Sequence, residues 1–585
     1  MKTAIPRPEY PRLDFARTEW LNLNGIWDFE FDDNEIGELG RWYENREFSM
    51  KILVPFSYHS EKSGLGIDEL HEVMWYKRKF QIPPSWKGKR IFLNFGAVDY
   101  YTRVWINGKY IGSHKGGYLP FKFDISRFLE DDNTIVVKVE DRYDTVQPRG
   151  KQYWKQKPDR CWYIANSGIW QTVWLETVGE ISFDMIKITP DIDKSCALAE
   201  VYLDKKPENM SLKMDLYYNK KHINTIECDI NERISKHTIN IKEEDEIDEI
   251  HYWTPSNPNL YDVEFSLIKD GQVVDSVKTY FGMRKISIKE DMILLNNRPF
   301  YQKLILDQGY WPESLLTPPS DEAIKYDIEM VKKMGFNGVR KHQKIEDPRF
   351  YYWADKLGLL VWGEMPSAYN FNSEEIENIA REYREFINRD YNHPSIIVWV
   401  PLNESWGVRN IISDPRQQNF ARMLYYLTKA EDNTRLVSTN DGWEQVKSDI
   451  NAIHDYISEG KDFYEKYQDP DSLFKGNASS RMLYAEGERY EGQPVIITEF
   501  GGIALASDIE TATDEKWGYG YGVDGEKGLL ERFEGLIKAI YATSYIKGFC
   551  YTQLTDVMQE VNGLMTMKRE MKADINRIRE ILGAG

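Results

Sequence analysis

Two glutamates each close an apolar run that is typical of a buried strand. The first run, "IIVWVPLNE", ends on Asn403 and Glu404, and the second, "VIITEF", carries Glu499 near its end. A carboxyl group at the end of a buried strand either reaches solvent or serves a cleft. Two such groups in one cleft can cleave a glycosidic bond if one holds a proton and the other stays ionised. The two glutamates are therefore the leading candidates for catalytic chemistry.

Polar side chains recur at the ends of the other strand-like runs in the C-terminal half of the chain. They are Asp307, Arg340 with His342, Glu364, Asp441, His454 with Tyr456, and Asp556. The active site of a parallel barrel lies at the C-terminal strand ends, so these side chains are candidates to surround the two glutamates. No nucleophilic serine motif or glycine-rich phosphate loop is present, which favours acid–base chemistry on a neutral or weakly charged substrate. Glu364 and Glu444 are alternative carboxylates, and Glu364 could instead hold Arg340.

The elements that must position these residues alternate after about residue 300. Eight strand-like runs follow in order, from "FYQKLIL" to "GFCYTQLTD", with helical stretches between most of them. The clearest helix, "SDEAIKYDIEMVKKMG", has Ser320 as its N-cap and ends at Gly335. Eight strand–helix units predict a C-terminal (β/α)8 TIM barrel over residues 287–585.

The N-terminal half shows only strands and turns, which predicts two β-sandwiches in a multidomain chain. Residues 1–179 are predicted to form an N-terminal β jelly-roll sandwich of the sugar-binding type, with a hairpin turn at Asn107-Gly108. Residues 180–286 are predicted to form an immunoglobulin-like β-sandwich without a disulfide, with a second hairpin turn at Asp270-Gly271.

Composition narrows the classes of partner. The net charge of −19 argues against nucleic acid, and no run of about 18 apolar residues predicts a membrane span. The four cysteines lack ligand spacing, so a disulfide framework or a zinc site is not expected. Acid–base chemistry by two glutamates needs no metal or organic cofactor, so none is expected. The start of the chain lacks the apolar run of a signal peptide, which predicts a cytoplasmic location. A small carbohydrate or glycoside is the expected partner, and self-association into a homo-oligomer is left open.

Several motifs, taken in order, resemble glycoside hydrolase family 2, the group of β-galactosidases, β-glucuronidases and β-mannosidases. They include "LNLNGIWDFEFD" and "WYKRKFQIP" in the first sandwich, "WTPSNPNLYDVEFSL" and "FGMRKI" in the second, and "GFNGVRKH", "WVPLNESWG" and "ITEFGG" in the barrel. Each motif is weak alone, whereas their order and spacing are specific. The resemblance covers nearly all 585 residues.

The resemblance implies a double displacement that retains the anomeric configuration. It implies Glu404 as the acid/base and Glu499 as the nucleophile, the same pair that the strand ends indicate. It further implies that Asn403 binds the 2-hydroxyl, that Arg340 lies near the nucleophile and that Tyr456 bonds Glu499. Other predicted substrate contacts are His342, which stands in an unusual "RKHQK" context, and Asp307, Trp311, His454, Trp406 and Lys344.

The identity of the sugar stays open at this level. Family β-glucuronidases carry an Asn-x-Lys pair after the last strand, but Asn562 and Lys568 are too far apart to match it. A galacto-configured sugar, as β-galactoside or β-galacturonide, is therefore the leading prediction. The alternatives are a β-glucuronidase, a β-mannosidase or an α-L-arabinopyranosidase, and a non-catalytic carbohydrate-binding protein. Lys303, Lys341 and Lys344 are candidate cations for a uronic acid, with solvated surface lysines as the other interpretation.

One segment of the first sandwich is too aromatic and basic for an ordinary loop. It reads "RGKQYWKQKPDRCWYIANSGIW" and runs from Arg149 to Trp170. It either reaches over the mouth of the barrel or packs between domains.

Overall fold

The computed structural model describes residues 5–241, 250–478, 481–510 and 516–583. Two antiparallel sheets form its N-terminal body. In spatial order, one consists of Trp20–Asn22, Val173–Val178, Arg90–Phe95 and Phe121–Asp124, and the other of Met50–Val54, Gly25–Phe31, Val73–Phe80, Asn133–Glu140, Tyr101–Ile106 and Lys109–Lys115. Side chains from both sheets, such as Leu93 and Tyr76, share one buried core. A short pair, Val98–Asp99 and Gly168–Ile169, completes this sandwich.

The second body is a seven-stranded sandwich. Its sheets are Phe183–Asp191, Cys196–Leu203 and Ile234–Asn240, and Lys221–Ile230, Met210–Tyr218, Tyr261–Lys269 and Gln272–Phe281. Asp270 and Gly271 have φ values of 52° and 74°, the left-handed pair that a type I′ hairpin requires. Asn107 and Gly108 form the equivalent turn in the first sandwich, with φ values of 50° and 74°. Both predicted hairpins are confirmed.

Three short strands, Ile286–Lys289, Met292–Leu295 and Arg298–Pro299, lead into a barrel of eight parallel strands. In chain order these are Gln302–Asp307, Gly338–Lys341, Leu360–Glu364, Ile396–Val400, Leu436–Val437, Asn451–His454, Val495–Gly501 and Ile546–Thr552. Their spatial order is 5-4-3-2-1-8-7-6, the cyclic order of a TIM barrel. Short pairs outside the barrel are Leu402–Asn403 with Asn440–Asp441, and Asn477–Ala478 with Arg481–Met482.

In the part of the chain that the structure describes, α-helices appear only after residue 320. They are Asp321–Met334, Pro348–Leu357, Ser373–Asp390, Pro415–Glu431, Gly460–Tyr467, Pro470–Lys475, Ala506–Glu510, Gly525–Ala542 and Ile575–Gly583. The first is capped by Ser320, whose hydroxyl accepts from the Ala323 N–H at 3.2 Å, and it ends at Gly335 with φ 99°. The predicted multidomain fold of jelly roll, immunoglobulin-like sandwich and TIM barrel is confirmed. Within the described ranges, each helix is too short or too polar to span a lipid bilayer.

Side chains on the barrel strands alternate between two buried cores. Leu304 and Leu306 of the first strand point into the barrel interior, whereas Ile305 packs outside against the helices. The same period of two sends Arg340 inward and its neighbours Val339 and Lys341 outward. Whether a strand-end residue can reach the barrel axis therefore depends on whether its side chain lies on the inner or the outer side of its strand.

The segment from Arg149 to Trp170, here called the strap, lies over the mouth of the barrel. The Gly150 N–H donates to Ser367 O, 3.0 Å away, after the third strand. Further along, Arg160 O accepts from the Trp517 indole at 2.9 Å and from the Gln559 amide at 2.8 Å, after the seventh and eighth strands. The strap therefore crosses the open end of the barrel, the first of the two interpretations that the sequence left open.

Candidate active site

Glu404 sits on a tight turn just beyond the fourth barrel strand. Glu404 and Ser405 have φ values of 51° and 58°, so the backbone turns through two successive left-handed residues. Asn440 Oδ1 accepts from the Ser405 N–H at 3.0 Å, and the Ser405 hydroxyl donates to Glu444 at 2.6 Å. These hydrogen bonds stabilise the unusual turn. Glu444 therefore helps to position Glu404 through its bond to Ser405.

Glu499 lies on the seventh strand with its carboxylate nearly enclosed. Arg340 Nη1 donates to one oxygen at 2.8 Å, and the Tyr456 hydroxyl donates to the other at 2.6 Å. Burial alone would raise the pKa of Glu499, but the positive charges of His454 and Arg340 outweigh it and lower the pKa to about 2. Glu499 is therefore an ionised carboxylate at neutral pH.

His454 stands between the two glutamates. Its Nδ1 lies 2.7 Å from Glu404 Oε1 and 3.4 Å from Glu499 Oε2, and its Nε2 lies 2.8 Å from Asp441 Oδ1. Burial opposes a charge on this ring, but the charge of Glu499 and the hydrogen bonds to Asp441 and Glu404 raise its pKa to about 10. The ring is therefore an imidazolium that donates a hydrogen bond at each nitrogen.

The two carboxyl groups lie close together. One oxygen of Glu404, one oxygen of Glu499 and a ring nitrogen of His454 are all within 4.8 Å of one another. Retaining glycosidases separate their carboxyl groups by about 5–5.5 Å, whereas inverting enzymes need about 6.5–9.5 Å. The cluster also has the composition of a metal site, and in this structure the two ring nitrogens of His454 are used in hydrogen bonds to Glu404 and Asp441.

Arg340 organises the floor of the site from a fully buried position. Its Nε donates to Glu364 at 2.7 Å, Nη1 to Glu499, and Nη2 to Asn403 Oδ1 at 2.6 Å. Glu364 therefore holds the arginine, as the sequence suggested for this alternative carboxylate. Asn403 Nδ2 is buried and has no hydrogen-bond partner among the described residues. That amide can donate to a substrate hydroxyl.

Replacing Arg340 with methionine is expected to destabilise the fold by about 3–5 kcal/mol, because it leaves several buried carboxylates without their counter-ion. Thermal and urea unfolding measure the effect. Arg409→Met is the matched control, since Arg409 is exposed on the same face of the barrel and its loss should change the free energy of unfolding by less than about 0.5 kcal/mol. Equal stability of the two variants would contradict the assigned role of Arg340.

Aromatic rings line the mouth of the site. Tyr456 stacks on Tyr519 with ring centroids 3.4 Å apart, and Trp406 lies 5.7 Å from Tyr369 and 6.0 Å from Trp162 of the strap. The apolar face of a sugar ring packs well on such surfaces. Sequence reasoning did not select Tyr519 or Trp162. The aromatic density of "WGYGYG" and of the strap was the available signal.

The structure brings several other predicted residues to this cluster. His342 Nδ1 lies 3.0 Å from Glu364 and 3.9 Å from Glu499, and its ring centroid is 6.3 Å from that of Trp406. Burial, reinforced by the charge of Lys151, lowers the pKa of His342 well below its usual value, so the ring is neutral. Asn403, Arg340, Tyr456, His454 and Trp406 lie at the same end of the barrel.

Three predicted substrate contacts, Asp307, Trp311 and Lys344, have side chains that are engaged with other residues of the protein. Asp307 points outward on its strand and accepts from Lys341 at 2.8 Å. The Trp311 ring is covered by the guanidinium of Arg569 at 3.6 Å. The Lys344 ammonium donates to Gly309 O and Leu316 O, both at 2.8 Å, and pairs with Glu346 at the same distance.

The lysines considered for a uronic acid are also occupied. Lys341 is buried between Asp307 and Glu346, and Lys303 donates to Leu582 O at 2.6 Å. Lys341 and Lys344 are thus buried lysines, and their ammonium groups are paired with the carboxylates of Asp307 and Glu346. The strap supplies a different lysine, Lys151, whose Nζ lies 4.9 Å from the centre of the Trp406 ring. Sequence reasoning missed it, although it lies in the segment singled out as unusual.

A parallel barrel with paired glutamates at its strand ends, capped by two β-sandwiches, defines a class of multidomain glycoside hydrolase. Family models agree along the whole chain: "Glycosyl hydrolases family 2, sugar binding domain" matches residues 21–178, "Glycosyl hydrolases family 2" matches 181–284, and "Glycosyl hydrolases family 2, TIM barrel domain" matches 286–581. The chain belongs to glycosyl hydrolase family 2.

Similar proteins include some named β-glucuronidase and some named β-galactosidase. A β-glucuronidase of Paenibacillus borealis is 25% identical over 85% of this chain and 85% of its own length. The β-glucuronidase of Canis lupus familiaris is 23% identical over 98% of this chain and 91% of its own. A β-galactosidase of Thermoanaerobacter pseudethanolicus is 27% identical over 66% of this chain, which spans about half (51%) of that relative's length. Among solved structures, a β-glucuronidase from an uncultured Clostridium sp. shares the fold with a TM-score of 0.78 at 22% identity, over 99% of this chain and all of the other.

Proposed function

We propose that this protein is an exo-acting, retaining β-glycosidase with Glu404 as acid/base and Glu499 as nucleophile. The observation that carries the proposal is the pair of carboxyl oxygens within 4.8 Å of each other, with the His454 imidazolium between them. The strap supports exo action, because a segment bonded to both Ser367 and Trp517 crosses the barrel mouth and obstructs an extended polysaccharide from lying across the site.

In the first step, the ionised Glu499 attacks the anomeric carbon while the aglycone oxygen takes a proton from Glu404. His454 Nδ1 donates to Glu404 Oε1, so the transferable proton resides on Oε2. As that proton leaves, the same imidazolium stabilises the carboxylate that forms. The products of this step are the free aglycone and a glycosyl ester of Glu499.

In the second step, Glu404 acts as a base. It removes a proton from a water molecule that attacks the anomeric carbon and breaks the ester to Glu499. The two inversions restore the original β configuration. Arg340 and the Tyr456 hydroxyl, already bonded to Glu499, stabilise its carboxylate as it is released.

For the sugar, we propose a β-D-glucuronide in place of the galacto-configured sugar favoured by the sequence. The relatives from Paenibacillus borealis and Canis lupus familiaris, which align over at least 85% of both lengths, are named β-glucuronidases, whereas the Thermoanaerobacter pseudethanolicus relative named β-galactosidase aligns over 51% of its own length. The galacto preference has no comparable support. The proposal departs from the usual Asn-x-Lys pair, so another group must bind the carboxylate.

A panel of 4-nitrophenyl β-D-glycosides tests the proposal, with glucuronide, galacturonide, glucoside, galactoside and mannoside compared by kcat/KM. We expect the glucuronide to be the best substrate, and proton NMR to detect the β-anomer of the free sugar first. Early release of the α-anomer would overturn the double displacement. Faster hydrolysis of the galactoside would restore the galacto interpretation. Binding of sugars without any turnover would favour the carbohydrate-binding alternative.

A further inference from the structure

Lys151 is a buried cation that has no anionic partner in contact. Its side chain comes from the strap, the residue is only 6% exposed, and its Nζ stands over the Trp406 ring at 4.9 Å. Among the residues that the structure describes, no side chain forms a hydrogen bond or an ion pair with this ammonium. A cation that has no contacting anion and extends from a largely buried side chain at the mouth of the barrel is available to bind an anionic ligand.

The ammonium stays charged in this setting. Burial acts to lower the pKa of Lys151, but the acidic groups around it raise the pKa overall: Cys161 and Glu560 contribute most, and Glu499 and Glu404 add to them. Burial raises the pKa of the Cys161 thiol to about 11, so this thiol is neutral at neutral pH. The negative charges that stabilise the Lys151 ammonium then come from the carboxylates. Lys151 is thus a permanent positive charge beside the catalytic pair.

The neighbouring carboxylates already have donors of their own. Glu499 accepts from Arg340 and Tyr456, Glu404 from His454, and Glu560 from the Tyr163 hydroxyl and from Asn562 Nδ2 at 3.2 Å. Each of the three carboxyl groups therefore has hydrogen-bond donors of its own. Lys151 is left as the charged group of this set that lacks a contact, and its donors remain available to a ligand.

The loop after the eighth strand does not supply a cation. Asn562 Oδ1 accepts from Gln553 at 2.6 Å, its Nδ2 is taken by Glu560, and Lys568 is exposed. The other two cations of this loop have anionic partners: Arg569 pairs with Asp327, and Lys572 pairs with Asp508 and Asp556. The Asn-x-Lys position of the family therefore has no equivalent there. A uronic acid bound in this pocket needs a positive charge from another element.

We propose that Lys151 binds the carboxylate of a β-linked hexuronic acid in the first subsite, so that the N-terminal sandwich, and not the barrel, provides the specificity for uronides. This rests on the proposed function for the location of that subsite. The strap fixes the lysine in place: the neighbouring Gly150 donates to Ser367 O, and a Cβ added there would lie 2.1 Å from Gln343 O. The backbone next to Lys151 is thus locked against the barrel, which pre-organises the ammonium.

Lys151→Met tests the proposal, because it removes the charge and keeps most of the side-chain volume. Two substrate pairs that differ only at C6 are compared: 4-nitrophenyl β-D-glucuronide with the glucoside, and the galacturonide with the galactoside. We expect the uronide-to-neutral ratio of kcat/KM to fall by roughly 100-fold, the scale of a lost charge-assisted hydrogen bond in a desolvated site. Lys151→Arg should recover part of the ratio. Lys157→Met, an exposed lysine of the same strap, should leave the ratio unchanged.

Equal losses on the uronide and on its neutral partner would overturn the proposal, because Lys151 would then support catalysis and not the carboxylate. Hydrolysis of neutral glycosides alone by the unmodified protein would also overturn it, while leaving the retaining mechanism intact. Measuring the binding of free sugars tests the proposal without depending on turnover. Calorimetry should show D-glucuronate binding more tightly than D-glucose, and Lys151→Met should abolish that preference if the proposal is correct, even if no glycoside is hydrolysed.

Discussion

Replacing Glu499 with alanine is expected to lower kcat by about 10⁵-fold, on the scale of losses seen when a catalytic nucleophile is removed. The reason is that the neighbouring carboxyl groups of Glu364 and Glu404 are engaged with other residues and cannot replace it. Glu364 is bonded to Arg340 Nε, and Glu404 is held by His454 on the other side of the pair. Turnover of the 4-nitrophenyl substrate identified by the panel measures the loss, and the melting temperature checks that the variant folds.

Azide distinguishes a lost nucleophile from a damaged site. In Glu499→Ala, Arg340 Nη1 and the Tyr456 hydroxyl lose their acceptor and can hold a small anion where the carboxylate was. Azide should therefore attack the anomeric carbon from that side and restore part of the activity, with an α-glycosyl azide as product. The unmodified protein is the control and should not be accelerated. Near-native activity of the variant without azide, or a β-azide product, would show that the nucleophile is misassigned.

Replacing Glu404 with alanine is expected to slow the enzyme in a way that depends on the leaving group. A nitrophenolate departs without a proton, so its departure should slow by about 10-fold, whereas a simple alkyl glycoside needs the acid and should slow by about 10³-fold. A series of aryl and alkyl glycosides of the preferred sugar measures this dependence. Azide should give the β-azide here, because it attacks the glycosyl ester from the face that water normally uses.

Glu499→Ala is the internal comparison for this experiment, since it should be impaired on every leaving group. Uniform losses across the series in Glu404→Ala would contradict its role as the acid. The structure gives a second check. His454 donates to both Glu404 and Asp441, so the alanine variant retains one of these bonds and should keep the ring in place.

Much of the fold is predictable from local pattern. Alternating apolar residues with Asn-Gly and Asp-Gly turns encode hairpins, and the first helix carries its own start and stop signals in Ser320 and Gly335. The change near residue 300 from strands alone to strands and helices marks the start of the barrel. Period-two alternation could also have shown that Asp307 faces outward, since it follows Ile305 on the outer side of the first strand.

The sugar and the strap contacts could not be predicted in the same way. Lys151, Trp162 and Tyr519 reach the site from loops, and no periodicity relates a loop side chain to a strand end. Lys344 is the opposite case: it was expected to be available to a substrate, but its ammonium group bonds two backbone carbonyls and Glu346. Whether a lysine is free or paired depends on neighbours that lie far away in the chain.

By itself, then, the sequence determined the architecture and the two glutamates, because strand period, turn chemistry and parallel topology together direct the carboxyl ends of the strands to one face. Tertiary structure alone decided what surrounds that pair. The imidazolium of His454 exists because the carboxyl groups of Glu404, Asp441 and Glu499 converge on it, and the ammonium of Lys151 stands over Trp406 because backbone contacts fix the strap across the barrel. Charge state and proximity are properties of the assembled site, since both depend on burial and on residues that are hundreds of positions apart.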